Sequence, residues 1–140
     1  MSALALGRRM IEGWNDGRLE AVFATFDENI VVRTDPSWPE RVWFGRDPAK
    51  RFWHSVREAM GPTRVSVEEE HDLGDRALWR IRQPVSSASG VQSTFSWSFL
   101  LAARAGRVIM VEFFIDDEAL RAELGIGPRP RRQTSSATPG

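Results

Sequence analysis

Asp35, Glu112, Arg80 and Arg82 are the side chains of this sequence best suited by type and surroundings to acid–base chemistry. Asp35 precedes Pro36 and has two large rings, Trp38 and Trp43, close by in the chain. Rings that lower the local dielectric disfavour the charged carboxylate and raise its pKa, which makes it a better general base near neutral pH. The alternative reading is an Asx-type turn, in which the carboxylate only holds the loop before Pro36. Glu112 interrupts the otherwise apolar run Val108–Ile115. A buried carboxylate is costly unless paired or neutralised, so an inward Glu112 needs Arg80, Arg82 or a proton. An exposed edge position or a structural ion pair explains Glu112 equally well. His54 lies off the apolar stripe of its helix, and His71 beside a turn; both read as surface, and Glu68–Glu69–Glu70 as a solvated strand end.

The composition removes whole classes of chemistry. There is no cysteine, so disulfides, thiolate nucleophiles, zinc–thiolate sites and iron–sulfur clusters are impossible within these residues. Two histidines are too few for most histidine-based metal centres, and no metal or cofactor is expected. The 19 basic and 19 acidic residues balance and give no field to draw nucleic acid or an anionic membrane. No apolar run is long enough to cross a bilayer and the N-terminus lacks signal-peptide order, so a cytoplasmic protein is the expectation. Six Trp and eight Phe without a single Tyr suit an apolar core, an oligomer interface or a ring-lined ligand cavity.

The elements that position these groups are legible from period and punctuation. Ala3, Leu6, Met10, Ile11 and Trp14 recur at helical spacing, and Asn15–Asp16–Gly17 ends that helix. Leu19, Val22, Phe23 and Phe26 mark a second helix, Ile30–Val32 a short strand, and Val42–Phe44 an extended piece. Gly45–Arg46–Asp47–Pro48 opens a third helix, with Asp47 as cap and Phe52, Trp53, Val56 and Met60 turned inward. Alternation then takes over: a strand from Arg64, another through Ala77–Ile81 limited by Gln83–Pro84, and a long one from Val91. In the long strand Phe95, Trp97, Phe99 and Leu101 share one side and Thr94, Ser96 and Ser98 the other. The Val108–Ile115 strand is apolar on both faces, so its outer face predicts a homodimer. Asp116 caps a last helix docked by Leu120, Leu124 and Ile126. One domain over residues 1–127 and a disordered tail over 128–140 complete the reading.

With these elements in order, the chain resembles the SnoaL-like family of the nuclear-transport-factor-2-like superfamily. The resemblance rests on Trp14–Asn15–Asp16–Gly17–Arg18–Leu19, on Asp35–Pro36, on Gly45–Arg46–Asp47, on Gly74–Asp75–Arg76 and on the ending Phe113–Phe114–Ile115–Asp116 with Glu118–Ala119–Leu120. It covers roughly residues 5 to 127. It implies an α+β fold: a cone-shaped α+β barrel whose strongly curved, mostly antiparallel sheet and N-terminal helices enclose an apolar pocket. The relatives include ketosteroid isomerases, polyketide cyclases, epoxide hydrolases and non-catalytic binding modules, so the fold does not choose the reaction.

Carried over residue by residue, the resemblance places Asp35–Pro36 where the isomerase relatives hold their general base. Met10 stands where those relatives have an oxyanion-hole tyrosine, and Trp97, Ser98 and Phe99 where their protonated aspartate lies. A thioether and a ring cannot donate the bonds an enolate requires, which disfavours a standard ketosteroid isomerase. The histidine of the cyclase relatives has no counterpart after His71, and the aspartate–arginine–aspartate set of the hydrolases is incomplete around Arg80 or Arg82. The expected catalytic set is Asp35, Glu112 and Arg82. The expected pocket is Met10, Trp14, Trp38, Trp43, Trp53, Arg80, Trp97, Phe99 and Phe114. Its occupant would be a small hydrophobic, cyclic or polyketide- or terpenoid-like molecule, either turned over by a cofactor-independent isomerase, cyclase or hydrolase, or bound by a non-catalytic or dimerising module.

Overall fold

The structure is a computed structural model that describes residues 1–61, 63–86, 89–90 and 92–128, with Ser86 described by its backbone alone. The expectation for the tail falls almost wholly on residues 129–140, outside the described residues.

Helix α1 (Ala3–Asn15) is capped by Ser2, whose hydroxyl accepts the Ala5 N–H at 3.1 Å. It ends where Gly17 takes a positive φ of 70°. Asn15 bonds reciprocally with the backbone of Val65, accepting its N–H at 2.8 Å and donating to its carbonyl at 3.0 Å. The junction asparagine thus ties the end of α1 to the approach of a strand fifty residues away. Helix α2 (Leu19–Phe23) is shorter than its sequence period suggests, because Phe26 opens strand β1 (Phe26–Arg33) instead of extending the helix. Strand β2 (Val42–Phe44) is followed by helix α3 (Arg46–Met60). Gly45, with φ 92°, occupies the N-cap expected for Asp47, which lies in the first turn.

Strands β3 (Ser66–Asp72), β4 (Arg76–Ser86), β5 (Gln92–Arg104) and β6 (Arg107–Phe114) follow, and helix α4 (Glu118–Leu124) closes the order. Strand β4 runs through Pro84, where the sequence suggested an end. Its ladder with β3 stops at Ser66 opposite Arg82, so Pro84 lies beyond that partner and costs no bond on that side. The position capping α4 is Asp117, not Asp116, although Asp116 Oδ1 accepts the Glu118 N–H at 3.1 Å.

The six strands lie in the order β2-β1-β6-β5-β4-β3, antiparallel except for the β1–β6 pair. The α+β composition is as expected, but the barrel is not. Strand β2 is bonded only to β1 and β3 only to β4, leaving an open sheet with two edges. Closure requires those edges to pair with each other. One is three residues long and the other, Ser66–Asp72, is charged along most of its length, a common way for a sheet edge to resist pairing.

One face of the sheet packs against α1 and α3 through Ala77, Trp79, Ile81, Phe99, Leu101 and Val111, all buried. Trp79 stacks on Phe99 with centroids 4.9 Å apart, and its indole N–H donates to Glu70 at 3.0 Å. Glu70 also receives Arg8 of α1 through two bonds. The glutamate run is therefore not merely solvated: Glu68 pairs with Arg82, Glu69 with Arg121, and Glu70 with Arg8. On the opposite face Leu78, Arg80, Ser98 and Leu100 are buried. There Asp117 and Arg121 bring the last helix against the sheet.

Candidate functional site

A cavity of about 100 Å³ opens between the two longer helices and the sheet. Helix α1 contributes Met10, Ile11 and Trp14, on the same stripe that buries the helix. Helix α3 contributes Phe52, Trp53, Val56 and Met60, spaced three and four residues apart as one face must be. Strand β5 supplies Phe95, Trp97 and Phe99 by alternation, β4 supplies Ile81 and Gln83, and β6 ends at Phe113 and Phe114. Val65 lies deeper in chain order between them, while Asp35, Trp38 and Ile115 complete the wall from the loops. Phe113 joins the rings: its centroid lies 5.5 Å from both Phe52 and Trp97 and 5.9 Å from Trp53.

Several polar groups of this wall are bonded to protein. Trp14 Nε1 donates to the Thr63 carbonyl at 3.0 Å, and Trp97 Nε1 donates to Gln83 Oε1 at 3.0 Å. Gln83 is fully buried and its amide nitrogen donates to Thr63 Oγ1 at 3.0 Å. It therefore fixes the plane of Trp97 from behind. Sequence reasoning missed Gln83 because it was placed at a strand end; continued alternation from Trp79 and Ile81 points it to the same face. Phe113 was missed for Phe114, although alternation from Val111 marks it as inward.

Of the expected pocket residues, Met10, Trp14, Trp38, Trp53, Trp97, Phe99 and Phe114 lie on the wall. Trp43 and Arg80 do not. Trp43 packs behind Phe52, with centroids 5.6 Å apart. Arg80 points to the opposite face, where it is buried, donates to Ser98 Oγ and the Ile115 carbonyl at 3.1 Å, and pairs with Asp117 at 3.7 Å. Ser98, read from its alternation as part of an outer polar face, is fully buried against Asp117.

The expected catalytic set is not brought together. Asp35 is on the cavity wall, but Glu112 and Arg82 are not. Glu112 lies opposite Arg33 and Leu100 in the ladders, on the face away from α1 and α3, and Arg82 pairs with Glu68 at 3.2 Å near solvent. His54 is exposed with its ring edge-on to Phe23, and His71 is half-buried against Glu69. Among the described residues no cluster of three or more His, Asp or Glu is placed to hold a metal ion.

The environment of Asp35 differs from the expectation of a raised pKa. Burial does push the carboxyl upward, but donors to both oxygens outweigh it. Oδ1 accepts the Ile115 N–H at 2.9 Å, and Oδ2 accepts the N–H and hydroxyl of Ser37 at 3.0 and 2.6 Å. With the charge of Arg41 added, the carboxyl is held below its ordinary value. The local geometry is the Asx turn, with a long-range bond added to it.

A protein-family model described as a SnoaL-like domain matches residues 7–111 of this chain. Among curated proteins, none matches. Several solved structures share the fold. TerC, co-crystallised with polyporic acid, aligns with a TM-score of 0.70 at 17% identity over 88% of this chain and 98% of its own. An NTF2-like protein of unknown function from Burkholderia pseudomallei aligns with a TM-score of 0.71 at 18% identity, over 87% of this chain and 97% of its own. Bal32a, from a soil-derived mobile gene cassette, aligns with a TM-score of 0.67 at 18% identity, over 78% and 85%. Identities this low carry the fold and nothing finer. No helix among the described residues is long and apolar enough to cross a membrane.

Proposed function

The chain belongs to the SnoaL-like domain family, and from that premise we propose that its cavity binds a small apolar, ring-bearing molecule. The observation that carries this reading is a ring-lined wall on which the indole N–H groups of Trp14 and Trp97 and the amide of Gln83 are bonded within the protein. Such a wall selects by shape and apolar contact. TerC, a structure of the same fold, was crystallised with polyporic acid, which supports an organic molecule as the occupant.

Size narrows the class. Drug-sized ligands occupy pockets of roughly 300–1,000 Å³, and an apolar cavity of about 150 Å³ holds benzene. A space of about 100 Å³ with an open mouth accepts one ring, the rest of the molecule extending past Trp38 and Ile115. Burying one ring of about 150 Å² is worth at most roughly 4 kcal/mol, which corresponds to a dissociation constant near 1 mM. Tighter binding requires contacts made by the part outside.

Binding without turnover fits the site better than acid–base catalysis. An ionised carboxylate held below its ordinary pKa by three donors is a weak base at neutral pH. Isomerase, cyclase or hydrolase chemistry remains the second reading, favoured by the presence of Asp35 on the wall. A homodimer through the outer sheet face is part of the proposal, because Phe44 is 68% exposed and lies in register with Val31, itself beside Met110.

Tryptophan fluorescence tests the binding reading. Indole, naphthalene and a bicyclic ketone are titrated into the protein and into Val56→Phe, which fills the wall from α3. Saturable quenching that V56F abolishes is the expected result. An unsaturable response to every ring compound, or one that V56F leaves unchanged, rejects the cavity as a binding site.

A further inference from the structure

A second pocket, about 320 Å³, lies where α2 ends, α3 begins and β6 starts. Glu20, Phe23 and Ala24 line it from α2 and its cap, Arg46 and Lys50 from α3, and Arg107 from β6. We propose that this pocket binds a phosphate group. It shares α3 with the apolar cavity but none of its lining residues, so it stands independently of the function proposed above.

Three cations meet one carboxylate here, and no carboxylate among the described residues lies within ion-pair distance of Arg46, Lys50 or Arg107. Arg8, Arg64, Arg80, Arg82 and Arg121 all have such a partner. The three are nevertheless held in place. Arg46 Nη2 donates to the Phe26 carbonyl at 2.9 Å, and Arg107 Nη1 donates to the Ala24 and Phe26 carbonyls at 3.3 and 3.4 Å. Lys50 Nζ sits 5.9 Å from the centre of the Phe23 ring. Each guanidinium thus spends one nitrogen on its anchor and keeps the rest of its fork for another acceptor.

Arg46 Nε is buried and has no acceptor among the described residues. A buried charged donor without an acceptor is unfavourable, so the guanidinium that borders the pocket is short of one acceptor within the protein. Arg46 is also the first residue of a fifteen-residue helix, whose positive end adds to the field. Glu20 opposes an anion, leaving the excess of two cations that suits a phosphate dianion. Arginine forks match phosphate oxygens in geometry as well as charge.

Calorimetric titration of inorganic phosphate into the full chain, against chloride at matched ionic strength, tests the site. One saturable site is expected at millimolar phosphate or below. Lys50→Gln and Arg107→Gln should each weaken it roughly tenfold, the loss of one charge-assisted contact. Lys50 makes only a ring contact, so K50Q reports even if an arginine variant does not fold. Quenching by indole in the apolar cavity should be unchanged in K50Q, which separates failure of this site from failure of the cavity. Glycerol phosphate and vesicles with and without phosphatidic acid then distinguish a soluble phosphomonoester from a lipid headgroup. No saturable heat above the chloride control overturns the proposal, as does phosphate affinity in K50Q and R107Q equal to that of the wild type.

Discussion

Asp35 and Arg80 grip the same residue from opposite sides: Asp35 accepts the Ile115 N–H at 2.9 Å and Arg80 donates to the Ile115 carbonyl at 3.1 Å. One faces the cavity and the other the buried ionic cluster on the far side of the sheet. The segment after β6 is thereby fixed at the cavity mouth by two charges, neither of which has to be a reactant.

The first prediction follows for Asp35→Asn. A carboxyl held below its ordinary value adds stability that is complete above the unfolded pKa near 3.8 and is lost as pH falls through the lower folded value. D35N should therefore be less stable than the wild type at pH 7, by about 1 kcal/mol for the weakened bonds to Ser37 and Ile115. The difference should close in strong acid. Urea unfolding across pH and an NMR titration of the side chain measure both. An Asp35 pKa above 3.8 restores the general-base reading.

Asp117 is the shared carboxylate between Arg80 at 3.7 Å and Arg121 at 3.5 Å, with all three side chains buried. Removing it in Asp117→Ala takes one counter-charge from each of two buried guanidinium groups, of which Arg121 keeps Glu69, a loss of about 3 kcal/mol. Chemical denaturation measures the change. A loss under about 1 kcal/mol would mean that water reaches the cluster.

Gly7 lies flat under the indole of Trp79, so closely that a Cβ at position 7 would fall 1.9 Å from ring atom Cη2. Alanine normally gains about 1 kcal/mol over glycine inside a helix. Here the overlap should cost roughly 1–3 kcal/mol and more than cancel that gain. Gly7→Ala should lower the Tm by a few degrees in thermal unfolding followed by circular dichroism; a raised Tm would show that α1 sits further from the sheet.

Phe44→Glu tests the outer sheet face. The exposed ring lies beside Val42, also exposed, and opposite Val31. Sedimentation equilibrium at micromolar concentration should show a dimer for the wild type and a monomer for F44E, with the melting curve of dilute samples little changed. A monomeric wild type removes the dimer from the proposal.

Much of the fold was written in local pattern. The α1 stripe, the Gly17 stop, the α3 face carrying Phe52, Trp53, Val56 and Met60, and the alternation of Phe95, Trp97 and Phe99 all follow from periods of 3.6 and 2. Each depends on residues a few positions apart, and the rings it turned inward are the ones that meet at the cavity. What tertiary structure alone decided depends on partners far along the chain. The largest of the effects that lower the Asp35 pKa comes from an N–H eighty residues away. Arg80 and Arg82 are neighbours on one face of a strand, yet one is sealed with Ser98 and Asp117 while the other reaches solvent beside Glu68. Whether the sheet closes depends on two edge strands, β2 and β3, whose separation no local period records. Helical and pleated faces are short-range consequences of backbone geometry, whereas charge pairing, burial and closure are fixed only when distant segments meet.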